Sequence, residues 1–515
     1  MSKLPRATRD EIAALSRKHL EAVIAIESSS DETSSAIPST EGQRVLSQHL
    51  ESFFTGLGGQ VRVDRYANVI ARFAGRGEHA DLPPLALMIH LDTARGSLPC
   101  DRLELHKNWD GTAIPYPQNK RLQVSVENYP CTAPYLGHDL LHGGGEAPFG
   151  LDDKLGLAHM MTLAKLLADH PEIPHRPLLL IGRPDEEIGR EDALIGLAKW
   201  LADQGVNSGY TVDGLAPFEV NMENFNGRAA QMRFPTAPMP DPHALAHEGE
   251  VLEIVLLGVN THGATAKEEG HRDALRFAVE LMTVLTDLRV QALALESDPI
   301  RDGDGLLRIW IGDGVERTEV EAALERVVGP HVARGAGWKL RSSHLREGNG
   351  AVGQLLNFVR EFVASRTDMP LLCEDSEAFQ GYSHPYRVRS TTDEVQLDIR
   401  IRDFDTAALE MRTQHLRSIA GARAIEFIDQ YNNMAPKLAK RVDLLENALD
   451  AAIEIGVTAR PLPIRGGTGV DPFLDRGVFV ANLGTGYFAP ESEKEFTSMQ
   501  FLAQHALWLI ALVQR

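Results

Sequence analysis

Acidic residues in this chain gather where apolar runs stop. Leu87-Met88-Ile89 leads into His90-Leu91-Asp92, residues 178–181 are followed by Pro184 and Asp185-Glu186-Glu187, and Tyr210-Thr211-Val212 ends in Asp213. Asp152-Asp153 stands just before a helical pattern over residues 155–170. Short apolar runs alternating with helices of 3.6-residue period call for a mainly parallel sheet with right-handed crossovers. In an open sheet of that kind, groups at the C-terminal ends of neighbouring strands meet in one crevice, where such folds take their ligands. Clustered carboxylates repel one another unless a cation neutralises them. One imidazole and several carboxylates at those ends are therefore the donors for a pair of divalent ions.

Each motif alone is weak. A His-x-Asp is commonly a hydrogen-bonded surface histidine, adjacent aspartates at a helix start are commonly caps, and a run of acids is commonly a solvated loop. Their joint occurrence carries the reading.

The rest of the chain bounds the answer. With 515 residues it exceeds one core, so two domains, with three as the alternative, are expected. The α/β texture covers residues 1–226. Near Gly227 it gives way to alternating strands (230–234, 251–259, 306–311, 395–404) around helices at 272–288, 319–328 and 352–365. Residues 227–405 thus read as an α+β domain inserted into the first, which resumes over 406–515. Residues 61–73 read as a strand, Thr40 with Gln43 fits a capping box, and residues 95–149 read as a long surface excursion. Asp and Glu outnumber Lys and Arg by 72 to 52, a balance that disfavours nucleic acid as a partner. Cys100, Cys131 and Cys373 form neither a disulfide framework nor a CxxC metal motif. Without an apolar leader in residues 1–21 or a run of about 18 apolar residues, a cytoplasmic protein that does not span a membrane is expected.

The motifs and their order resemble the M20 family of metallopeptidases, in its peptidase T branch. The matching segments are His90-Leu91-Asp92-Thr93, Asp152-Asp153-Lys154, Pro184-Asp185-Glu186-Glu187-Ile188-Gly189, Tyr210-Thr211-Val212-Asp213-Gly214 and Glu223-Asn224-Phe225-Asn226. Further matches are Thr265-Ala266-Lys267 after His262, Ile401-Arg402-Asp403, and Pro463-Ile464-Arg465-Gly466-Gly467-Thr468. The resemblance implies a phosphorylase/hydrolase-like catalytic domain with an inserted lid domain, a short-peptide or acyl-amino-acid substrate, and two zinc ions. It makes His90 and Asp213 ligands of one ion, Glu187 a ligand of the other, and Asp152 the bridge. Asp92 would orient His90, and Glu186 would be the general base. Two cations about 3.5–4 Å apart lower the pKa of a bridging water and polarise a scissile carbonyl. A carboxylate outside the ligand set then moves the proton to the leaving amine. The resemblance also makes His262 the oxyanion stabiliser and Arg465 the anchor for a substrate carboxylate. It leaves a homodimer through the inserted domain open.

The chain departs from the family pattern at its end. The second-zinc histidine should lie four residues before the glutamate of His-x-x-x-Glu-Phe. Glu495-Phe496 match, and the histidine position is Glu491. A carboxylate can ligate zinc, and oxygen donors shift preference toward Mn or Mg at that position. Gly-Gly-Thr-Asp-Gly also becomes Gly466-Gly467-Thr468-Gly469-Val470, and residues 298–350 enlarge the inserted domain. The expectation is a metal-dependent hydrolase of short peptides. The alternatives are an amidohydrolase of N-acyl or carbamoyl amino acids, and a silent peptide-binding relative.

Overall fold

The strand ending in His90, Leu85–His90, is buried along its whole length, as its unbroken apolar run requires of a strand covered on both faces. The computed structural model describes residues 2–241, 245, 248–260, 270–298, 304–365 and 381–515. These form two units: the first comprises Met1–Lys120, Val124–Asn224 and Asn432–Arg515, the second Arg121–Gln123 and Phe225–Tyr431.

The first unit is built on an eight-stranded sheet. Its order is Gln60–Val63, Val69–Phe73, Leu178–Arg183, Leu85–His90, Ser208–Gly214, Phe479–Gly484, Glu219–Asn221, Arg460–Pro461. Leu178–Arg183, Leu85–His90, Ser208–Gly214 and Phe479–Gly484 run parallel side by side, and antiparallel neighbours flank them. The mainly parallel centre brings the ends of three site-bearing strands to one edge. Helix Leu151–Asp169 packs close behind them: a methyl at Gly156 would collide with the Val212 carbonyl and the Asp153 carboxylate.

The second unit is an eight-stranded antiparallel sheet with helices Ala274–Val284, Arg317–Val328, Gly350–Ala364 and Thr406–Ala420. Residues such as Phe234, Leu256, Phe277, Leu355 and Ile399 form its core. The enlargement after residue 298 supplies strands Gly305–Ile311 and Gly337–Ser343 to this sheet.

Three local expectations change. The return to the first domain, expected at 406, comes after Tyr431. Helix Thr406–Ala420 buries Leu409 and Leu416 in the second core, and strand Ile425–Tyr431 pairs with Asn226–Pro235. An amphipathic helix after a strand looks alike in both textures, so the pattern could not place the boundary. Residues 61–73 form a hairpin rather than one strand, because the Asp64 carboxylate accepts the N–H groups of Tyr66 and Asn68 and turns the chain. Residues 95–149 run along the surface with many exposed positions, but they are pinned to the core at intervals. They bury Trp109, Tyr116, Tyr129 and Tyr135, and Tyr129 and Tyr135 meet Phe488 and Phe496 at ring-centroid distances of 5.2 and 4.9 Å. This aromatic packing walls the segment that carries Glu491.

Burial sets an acid limit on the fold. His19, against the Thr162 hydroxyl at 2.9 Å, and His159, bonded to the Thr485 carbonyl at 3.0 Å, are each held down to about 4 by burial. His505, stacked on His159 at 5.0 Å, is also held well below its ordinary range by burial. A lowered imidazole pKa means that the folded state binds the proton less well than the unfolded chain. Its contribution is therefore complete above about pH 6.5 and lost as pH falls toward 4, about 3 kcal/mol each for His19 and His159. Urea midpoints of chelator-treated protein should fall over that interval, with a shallower slope in His159→Gln. Equal slopes would contradict the assignment.

Candidate metal centre

The Nδ1–H of His90 donates to the main-chain carbonyl of Asp92 at 2.8 Å, which fixes the tautomer and turns Nε2 outward. That Nε2 lies 2.8 Å from Asp152 Oδ1 and 3.3 Å from Asp213 Oδ1. The backbone explains the convergence. His90 and Arg183 end adjacent parallel strands, Asp213 sits near the end of the next, and Asp152 opens the helix behind them.

Asp92 does two jobs. Its carbonyl, and its carboxylate at 3.4 Å, face His90, while the same carboxylate accepts the N–H groups of Glu186 and Glu187 at 2.9 and 3.1 Å. Asp185, although part of the same acid triplet, turns away. It is fully buried and accepts from the Ser39 N–H, the Ser39 hydroxyl at 2.6 Å and the Gln43 amide at 2.7 Å. Gln43 returns the bond by accepting the Asp185 N–H at 3.0 Å. The capping box expected at Thr40 is absent because Gln43 is engaged here and Thr40 makes no side-chain cap.

Two overlapping donor groups result, His90 with Asp152 and Glu187, and His90 with Asp153 and Asp213, each with ligand atoms within 4.8 Å of one another. Their electrostatics are those of crowded acids. Burial, and then Glu491 and Asp152, push the Glu187 carboxyl well above the usual carboxylate range. Burial lifts Asp213 to about 7 against the pull of His90, and burial raises Glu186 against Arg183. Burial and the neighbouring Asp213 push Asp153 well above its ordinary value. Glu187 Oε1 is buried without a hydrogen-bond partner. An orphaned carboxylate oxygen facing other carboxylates fits a divalent ion, and the donors present suit zinc or a harder ion.

Glu491 stands where the second histidine was expected, and its charge bears on Glu187. Its segment is anchored by Glu495, whose Oε2 accepts the N–H groups of Phe149, Gly150 and Leu151 at 3.1, 3.1 and 3.3 Å, at the start of the Asp152 helix. Burial of Arg465 lowers its guanidinium to about 10 against the attraction of Glu219. His262, with Thr265–Lys267, lies outside the described residues.

Three site residues escaped the sequence reading as participants. Asp153 accepts the His90 N–H at 3.2 Å, Tyr487 donates its hydroxyl to Asp152 Oδ2 at 2.8 Å, and Arg183 lies behind Glu186 and Asp213. Asp153 was legible as an acid beside Asp152. No local signal marked the other two, because their partners are remote in sequence.

No family model matches the sequence. Peptidase T of Caldanaerobacter subterraneus subsp. tengcongensis is 24% identical over 496 residues, 94% of either chain. Peptidase T of Halothermothrix orenii is 25% identical over 469 residues, covering 89% of this chain and 88% of its own. Among solved structures, aminopeptidase PepT from Bacillus cereus superposes with a TM-score of 0.50 at 16% identity, covering 97% of this chain and 98% of its own. A tripeptidase from Staphylococcus aureus gives 0.52 at 14% identity, with 98% of each chain covered. Aminoacylhistidine dipeptidase from Vibrio alginolyticus gives 0.51 at 14%, covering 99% of this chain and 98% of its own. The fold is the one these peptidase structures share, that of the M20-type peptidases. In sequence the chain is similar to peptidase T over nearly its whole length.

Proposed function

We propose that this protein is a cytoplasmic metal-dependent aminopeptidase of short peptides, with two divalent ions held by His90, Asp152, Glu187, Asp213 and Glu491. Zinc is the ion proposed, with Mn or Mg as the alternative at the Glu187–Glu491 position. The observation that carries the reading is the buried, partnerless Oε1 of Glu187 amid carboxylates from four separate segments. A retired site would have no physical need for that crowding, which argues against a silent relative. Among described residues, no helix is long and apolar enough to cross a membrane.

When bound, the two ions supply an activated water and a polarised scissile carbonyl. Glu186, tied to Asp92 through its own N–H, is proposed to take the water proton and return it to the leaving amine nitrogen. Asp92 and Asp153 hold His90 from the Nδ1 and backbone sides, and Tyr487 steadies Asp152. Arg465 is assigned the substrate carboxylate and His262 the oxyanion.

Peptides are preferred over N-acyl or carbamoyl amino acids because full-length relatives carry the peptidase T name. A panel of free and N-acetylated tripeptides, dipeptides, and N-acyl and carbamoyl amino acids tests this. The expected result is release of the N-terminal residue from unblocked tripeptides, with the acetylated forms resistant. Faster hydrolysis of N-acyl or carbamoyl amino acids would contradict it.

A further inference from the structure

Arg183 is an unusual residue for the end of a central parallel strand. Its side chain is 1% exposed, so a full positive charge is buried behind the acid cluster. On one face, Nη2 donates to the Thr468 carbonyl at 2.9 Å and Nη1 to the Gly469 carbonyl at 3.4 Å. On the other, Nη2 lies 3.8 Å from Glu186 Oε1 and 3.9 Å from Asp213 Oδ2. Nε is buried without a hydrogen-bond partner, so these two faces are what hold the guanidinium. Gly469 is shaped to it. Its φ is +57°, and any Cβ there would collide with Arg183 Nη1. The loss of the aspartate from the Gly-Gly-Thr-Asp-Gly pattern therefore makes room for the arginine.

A planar fork can serve both faces at once, which a point charge cannot. The loop it grips is the one that carries Arg465, four residues before Gly469. Buried carbonyls and buried carboxylates both need such a donor, since leaving either without a partner in a low-dielectric site is costly.

We propose that Arg183 is a positioning residue that locks the substrate-side loop 465–469 to the Glu186 and Asp213 carboxylates, so that substrate placement and the proposed base are set by one side chain. The assignment rests on the peptidase reading above for its kinetic consequences only. The loop-locking itself is independent of what the site cleaves.

The test compares wild type, Arg183→Met, Arg183→Lys and Gly469→Ala as full-length, metal-loaded protein, by steady-state kinetics on a tripeptide, metal content, and hydrogen exchange of the loop amides. Arg183→Met should lower kcat roughly ten- to hundredfold, the range for partners that orient a metal site, and also raise KM, with bound metal retained. Arg183→Lys keeps the charge toward Glu186 and Asp213 but loses one carbonyl bond, so kcat should recover while KM stays raised. Gly469→Ala displaces the guanidinium from the loop side and should raise KM. In both Arg183→Met and Gly469→Ala the amides of residues 466–470 should exchange faster.

Unchanged kinetics in Arg183→Met, or Arg183→Lys as impaired as Arg183→Met in both constants, would overturn the proposal. If wild type cleaves no peptide, the peptidase reading fails and hydrogen exchange decides: faster loop exchange supports the lock, and unchanged exchange overturns it. Should Arg183→Met fail to fold, Arg183→Lys and Gly469→Ala carry the same comparison.

Discussion

Glu186→Gln should lower kcat by roughly 10²- to 10⁴-fold, the usual contribution of a positioned general base, while KM and bound metal stay near wild type. The reason is geometric. Glu186 lies outside both donor groups that surround His90, and its backbone N–H is held by Asp92 Oδ1 at 2.9 Å. Glutamine keeps that backbone bond and the side-chain volume, and loses only the ability to accept and return a proton. Its neighbour Glu187 shares the same clamp at 3.1 Å, so the exchange at 186 leaves the proposed ligand Glu187 in place. Steady-state kinetics and metal content measured on the same preparations check this. Equal activity in wild type and Glu186→Gln would remove Glu186 from its role, and loss of metal would make it a ligand instead.

The second large effect belongs to Glu491. In metal-free protein the charge of Glu491 raises the Glu187 carboxyl, so the pair repels. In the proposed site, a divalent ion held by both would convert that repulsion into binding. Glu491→Ala should therefore take occupancy from about two ions per chain to about one. It should lower activity by more than the ten- to hundredfold typical of an outer partner. It should also shrink the rise in melting temperature that added zinc or manganese confers, since ligand binding to the folded state adds stability. Glu491→His replaces oxygen by imidazole nitrogen and should keep or raise zinc affinity while reducing the preference for manganese. Loss of metal in Glu491→His would mean that residue 491 is not a ligand.

The parts of the fold legible in the sequence were those governed by local pattern. The unbroken apolar run before His90 implied a doubly covered strand, and its end implied a position at the ligand-binding edge; both appear in Leu85–His90. Glu187 and Asp213 were singled out because each follows or closes such a strand, and Asp152 because it stands before a helical pattern; all three lie in the donor groups around His90. What the pattern did not reveal depends on contacts between remote segments. Asp185 was counted with its acidic neighbours, yet Ser39 and Gln43, more than a hundred residues earlier, turn it into a buried clamp. The excursion over residues 95–149 lacked periodicity because its burial runs through single aromatic residues, Trp109 and Tyr135 among them, and not through a repeating face. Arg183 carried no signal in the sequence, and only the approach of Gly469 shows why a charge belongs there.

The proposed site holds two ions, with Glu491 standing where a histidine was expected. The most direct test is the metal content of protein purified without chelator and re-equilibrated with zinc or manganese near neutral pH. Elemental analysis should find about two divalent ions per chain, as a bridging-water mechanism needs. Fewer than about one ion per chain would contradict it.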